Sequence, residues 1–156
     1  RIGGRHLGQQ LRVVAHLLDG RLIKGTTPDF SSKDPVFHVE PLDGSAIVPV
    51  RFHELKAVFF VRELAGDSRR QDLQGFISAP PESIHGKKLA VRFPDGELLC
   101  GYTMSYSARR AGFFVFPADP GSNNLRVFVI ASPDAEIREG AAAEEMVRKV
   151  IKSRAA

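Results

Sequence analysis

Five histidines, one cysteine and eighteen carboxylates are the residues on which bond-breaking chemistry could rest. His6, His16, His38, His53 and His85 lie far apart, and no pair of them has metal-ligand spacing. Cys100 falls in an apolar strand pattern beside Gly101, the setting of a small core side chain rather than an activated thiolate. No Gly-x-Ser-x-Gly elbow, Walker loop, dinucleotide fingerprint or His-Glu-x-x-His is present. The expectation is a protein that is not an enzyme and holds no cofactor or metal.

The polar residues that do cluster are suited to binding. Lys24, Thr26, Asp29, Ser31 and Lys33 surround one glycine bend, and Tyr102, Ser105, Ser107, Arg109 and Arg110 surround a second. Arg109 and Arg110 could grip a phosphate or a carboxylate through paired N–H donors, and Arg69-Arg70 has the same chemistry. The competing reading is a solvated loop, because Ser, Asp and Pro are also what a turn needs for its own backbone.

Both clusters are positioned by a duplicated unit. Asp19-Gly20, Gly25, Thr27, Ser31, Phe37, Val39 and Pro41 recur seventy-six residues later as Asp95-Gly96, Gly101, Thr103, Ser107, Phe113, Val115 and Pro117. Glycine and proline determine backbone shape, so their return in one register marks a tandem repeat. Residues 1–10 read as a flexible lead-in, 11–62 as the first unit, 63–86 as a linker, 87–139 as the second unit and 140–156 as a helix. Each unit offers five short strands. The first alternates Val13, Ala15 and Leu17 against Arg12, Val14 and His16, then turns at Asp-Gly, the strongest short hairpin signal. Five such strands bent at a glycine describe a small antiparallel barrel. The predicted architecture is all-β, two tandem small barrels packed together with a C-terminal helix. In that helix Ala142, Met146, Val150 and Ser153 are expected on one face, flanked by Val147 and Ile151.

One difference between the copies predicts how they join. Phe114 and Phe116 replace His38 and Glu40 on the outer side of the third strand. On the outer side of the first unit's fifth strand Val58 and Phe60 are apolar, where their expected counterparts in the second unit are Glu136 and Arg138, the register stepping from seventy-six to seventy-eight. Apolar patches of that size are uncommon on monomers. Phe114 and Phe116 are therefore expected to pack on Val58 and Phe60 and so join the barrels, with a homodimer contact or the C-terminal helix as the other ways to cover them.

Composition narrows the partners. Hydrophobic content of 43% and charge of 26% are those of a globular chain, and the net charge is +4. No segment is strongly basic, so nucleic acid is not implied. A lone cysteine points to a reducing compartment, and no apolar run reaches membrane length. The expectation is a cytoplasmic monomer or homodimer without membrane contact. A chain that opens on Arg1 reads as a fragment or processed form with flanking domains.

The strings KGTTPDFSSKDPVFHV, LKAVFFVREL and GFFVFPADPGSNN resemble an uncharacterised bacterial domain that recurs in multidomain and signalling-related proteins. That resemblance covers most of residues 11–139 and implies no activity. The strand order is also similar to Sm-like and SH3-like barrels, which bind RNA or peptides, although the RNA-contacting motif of Sm proteins is not matched. A third similarity is to PilZ, a barrel that binds cyclic di-GMP through Arg-x-x-x-Arg followed by Asp/Asn-x-Ser-x-x-Gly. Arg1 and Arg5 have the first spacing, and Asp29 and Ser31 begin the second, with Asp34 where glycine belongs. These residues lead to a binding or adaptor module of a bacterial protein that contacts other proteins through barrel ends or strand edges. The alternatives are a cyclic di-GMP module resting on Arg1, Arg5, Asp29 and Ser31, and a small-barrel nucleic-acid binder; Lys33 stays with Arg109 and Arg110 among the candidate ligand-binding side chains of the loops.

Overall fold

The computed structural model describes residues 10–64, 76, 86–104, 106, 107, 109–119 and 121–155. Unit one contains β1 (Leu11–Leu17), β2 (Leu22–Thr27), β3 (Val36–Pro41), β4 (Val48–Arg51), a 3-10 turn at Phe52–Glu54, and β5 (Leu55–Val61). Unit two contains β6 (Lys87–Arg92), β7 (Leu98–Thr103), β8 (Gly112–Pro117), β9 (Asn124–Ile130) and β10 (Glu136–Glu139), followed by helix α1 (Gly140–Ala155). The lead-in and nearly all of the predicted linker lie outside the described residues.

The repeat is present down to its turns. Gly20 and Gly96 adopt φ of 94° and 91°, where a side chain would be strained. Asp19 Oδ1 accepts the Arg21 N–H and Asp95 Oδ1 accepts the Glu97 N–H, each at 2.9 Å. At Gly25 in β2 and Gly101 in β7 the neighbouring strand passes so close that an added Cβ would lie 2.1 and 2.2 Å from the Glu40 and Phe116 carbonyl oxygens. Within each unit the strand order is fifth-first-second-third-fourth.

The two units do not close into separate barrels. All ten strands form one open antiparallel sheet, ordered β10-β6-β7-β8-β9-β5-β1-β2-β3-β4. The joint is the β5–β9 ladder, in which Val58 lies opposite Phe128 and Phe59 opposite Val127. Asn123 extends it: its carbonyl accepts the Arg62 N–H, and its side-chain amide donates to the Glu63 carbonyl. The fifth strand of one unit thus takes the place beside the fourth strand of the other that barrel closure would have required.

This sharing explains why LKAVFFV is nearly all apolar. A strand buried on both faces needs no polar alternation. Val58 and Phe60 face the unit-one core with Val13, Ala15, Phe37, Val39 and Val50. Ala57, Phe59 and Val61 face the unit-two core with Leu89, Val91, Phe113, Val115, Val127 and Val129. β9 is divided the same way, with Phe128 entering the unit-one core.

Several sequence expectations change accordingly. Val58 and Phe60 point inward, opposite Ala15 and Val13, not outward. The register between copies steps to seventy-nine, because Phe37 pairs with Val50 while Phe113 pairs with Val129. The counterparts of Val58 and Phe60 are therefore Ile137 and Glu139 rather than Glu136 and Arg138. The outer face of β1 is covered, since Val14 is 8% exposed in the unit-two core. Helix α1 buries Ala143, with Met146, Val147 and Val150, where Ala142 was expected; this face covers Ala90, Leu98 and Cys100 of unit two.

Candidate functional site

The loop between β2 and β3 carries the residues that the PilZ resemblance singled out. Asp29 is occupied within its own loop. One carboxylate oxygen accepts the His38 N–H at 2.8 Å and the Thr27 hydroxyl at 3.3 Å, and the other contacts His38 Nδ1 at 2.7 Å. Burial opposes ionisation, but the donors from His38 outweigh it and hold the carboxyl below its usual range. The Ser31 hydroxyl accepts the Lys33 N–H at 3.2 Å, a local turn that leaves Lys33 on the surface. Arg1 and Arg5 lie outside the described residues.

Unit two repeats the turn. The Ser107 hydroxyl accepts the Arg109 N–H at 3.3 Å, and the Ser107 carbonyl accepts the Arg110 N–H at 3.0 Å. Arg109 and Arg110 are exposed. Ser31 and Ser107 therefore recur for a backbone reason, whatever else the loops do. The aromatics of these loops recur too. Phe30 meets Phe37 edge-on at 5.1 Å, and Tyr106 meets Phe113 edge-on at 4.9 Å.

The predicted joint residues are brought together in part. The Phe114 and Phe60 rings lie 6.0 Å apart, and Phe114 meets Phe128 at 5.0 Å. The Arg126 guanidinium covers Phe114 at 4.6 Å and Phe60 at 4.8 Å, a pair of cation–π contacts. Val58 lies in the core below them, whereas Phe116 is half-buried opposite Tyr102.

Sequence reading missed a polar cluster at this joint. Where β5 pairs with β1, His16 faces Ala57 and Leu17 faces Leu55, so Lys56 is the extra residue of a bulge. Its side chain is 10% exposed and reaches across to the unit-two hairpin, 2.7 Å from Asp95 and in contact with Glu97. It also sits 4.6 Å over the Phe93 ring. Burial alone would lower the Lys56 pKa, but the two carboxylates more than compensate and raise it. The Lys56 hydrogen bond and the Glu97 backbone N–H hold Asp95 below its usual range. His16 stacks on Phe59 at 4.2 Å, and burial lowers its pKa. The only early sign was a lone charge in an otherwise apolar run.

Two concave surfaces accompany these residues. A cavity of about 750 Å³ lies between the Asp95-Gly96 turn and the last turns of α1. A groove of about 370 Å³ is lined by Leu22, Ile23, Lys24, Pro41, Leu42 and Asp43 at one end of unit one. Among the described residues no group of three His, Cys, Asp or Glu side chains could hold a metal ion, and no helix is long and apolar enough to cross a membrane.

The chain belongs to a family of unknown function, DUF6982, whose family model matches residues 9–139. The matched span takes in all ten strands and stops where α1 begins. No curated protein and no solved structure matches the chain.

Proposed function

We propose that this chain is a non-enzymatic binding module that acts by protein–protein contact through the apolar end of unit one. The observation that carries this reading is the exposure of Leu22 and Leu42, 51% and 65%, on either side of the 370 Å³ groove. Leu18 and Ile47, on neighbouring turns, are 57% and 58% exposed. Large aliphatic side chains gathered on one rim are the usual mark of a contact surface.

Unit two supports a reading of what such a surface could accept. Leu98 holds the position in unit two that Leu22 holds in unit one, and it is half-buried against the Met146 and Val150 face of α1. Ala118, the counterpart of Leu42, is 7% exposed. The occupant proposed for the unit-one groove is an amphipathic helix of a partner protein, laying small and aliphatic side chains on Leu22 and Leu42. Strand addition is a poorer mode here. Pro49 removes a donor from the β4 edge, and Glu136, Arg138 and Glu139 place charges along β10. Asp29 and Ser31 are spent inside their loop, which favours the adaptor reading over a cyclic di-GMP site.

The test uses a synthetic peptide of residues 140–155 as a surrogate helix, titrated into the labelled chain and followed by amide NMR. Saturable shifts are expected at Lys24, Leu42 and Asp43, and should vanish in Leu42→Asp. Absence of binding, or binding indifferent to that substitution, would overturn the reading.

A further inference from the structure

We propose that the 750 Å³ cavity between the β6–β7 turn and α1 is a site for a small molecule bearing a phosphate monoester. Its volume lies within the range of small-ligand pockets. Leu98 and Val150 supply an apolar patch, and Arg92, Lys149, Arg154 and the Ser153 hydroxyl are the polar groups that can converge on an anion.

Charge decides which ligand fits. Asp95 and Glu97 also line the cavity, yet both are bonded to Lys56 across the joint. Three cations, Arg92, Lys149 and Arg154, line the cavity, and Lys56 partly offsets the two carboxylates from outside the lining. A phosphate monoester, which carries about −1.5 to −2 near neutral pH, suits such a set of cations. Arg154 donates to the Gly96 carbonyl at 2.5 Å, which fixes its guanidinium at the rim. Lys149 is held only loosely, 3.8 Å from Glu145. Glu136, across the strands from Arg92, is itself paired with Arg138 at 3.0 Å. The carbonyl end of α1 adds negative potential, so the side chains and not the helix supply the attraction.

The equivalent place in unit one lacks these features. His16 stands at the position of Arg92 and stacks on Phe59, and Asp19 is paired with its own neighbour Arg21 at 2.7 Å. Among the described residues no helix lies over that turn, because α1 packs against β6 and β10. The site is a property of unit two alone.

The full chain is titrated with inorganic phosphate and with phenyl phosphate at constant ionic strength, reading amide shifts at Gly96, Leu98 and Ser153. Saturable shifts at these three positions are expected, with phenyl phosphate binding more tightly because its ring meets Leu98 and Val150. Arg92→Gln and Lys149→Gln each remove an exposed cation and should weaken binding at least about tenfold, the effect of one lost charge-assisted contact. Lys56→Met changes no lining residue but releases Asp95 and Glu97, and it too should abolish the shifts while amides remote from β5 keep their native positions. No saturable shift at these amides, binding unchanged in Arg92→Gln, or equal binding of benzoate would each overturn the assignment.

Discussion

Lys56 of β5 and Asp95 of the β6–β7 turn meet at 2.7 Å, although one belongs to each copy of the repeat. The contact exists because a bulge swings Lys56 out of the β1–β5 ladder and because β5 itself lies against unit two. Lys56→Met should cost less than about 1 kcal/mol, since Asp95 and Glu97 are 58% and 46% exposed and solvent screens the pair. The Lys56 pKa is raised in the folded chain, so its contribution is present below the ordinary value of 10.5 and is lost as pH rises through the folded value. Urea midpoints measured from pH 9 upward should fall in the native chain and fall less steeply in the variant. Parallel curves would remove the ion pair from the account.

Two cores that share strands should melt as one. Phe128 belongs to unit two in sequence and to the unit-one core in space, at 1% exposure. Phe128→Ala should destabilise the chain by about 3–5 kcal/mol, the usual cost of emptying a buried aromatic site. Unfolding should stay a single transition by far-ultraviolet circular dichroism and by Tyr102 and Tyr106 fluorescence. Separate transitions for the two halves would show that the copies fold independently.

His16 supplies an acid-sensitive element. Burial lowers its pKa below the ordinary 6.5, with Lys56 and Lys24 acting in the same direction and Glu97 and Asp95 opposing. Its contribution is complete above pH 6.5. As pH falls through that value the unfolded chain gains a proton that the folded chain refuses, so stability declines. Between about pH 7 and 5 the native chain should lose stability while His16→Leu loses less. Equal slopes would place the titrating group elsewhere. The depressed Asp29 and Asp95 values act lower, below the ordinary carboxylate pKa of 3.8.

Gly25→Ala and Gly101→Ala should be equally severe. Each new methyl carbon would overlap a carbonyl oxygen of the neighbouring strand, at 2.1 and 2.2 Å, and backbone cannot step aside as a side-chain tip can. The expected loss is at the upper end of the roughly 1–3 kcal/mol typical of overpacking. Thermal melts of both variants test this. A native-like Tm for either would mean that the crossing strand shifts freely.

The repeat was legible because Asp-Gly turns and bend glycines are local backbone requirements, visible in any chain that carries them. The faces of β5 were not, since alternation is the only guide to direction and LKAVFFV has almost none. A single-residue slip in such a run reverses every side chain, which is how Val58 and Phe60 came to be expected outside. The longer turn before β9 moved the register by one more residue than the count of turn residues implied, since the offset is already seventy-nine in β4 and β9. Barrel closure failed as an expectation for the same reason. A strand that satisfies two cores cannot be assigned from one unit's pattern. Of the candidate sites, Ser31 and Ser107 were recognisable as turn formers, but the Lys56 cluster depends on chain crossings that no local spacing encodes.

The β5–β9 ladder joins unlike edges, so each end of the molecule still presents the kind of edge used in the middle. Such a head-to-tail contact does not close on itself as a two-fold one does. Growth into a fibre is checked by the proline of β4 at one terminus and by the charged β10 with its overlying helix at the other. Loss of those stoppers would convert a finite pair into a propagating one.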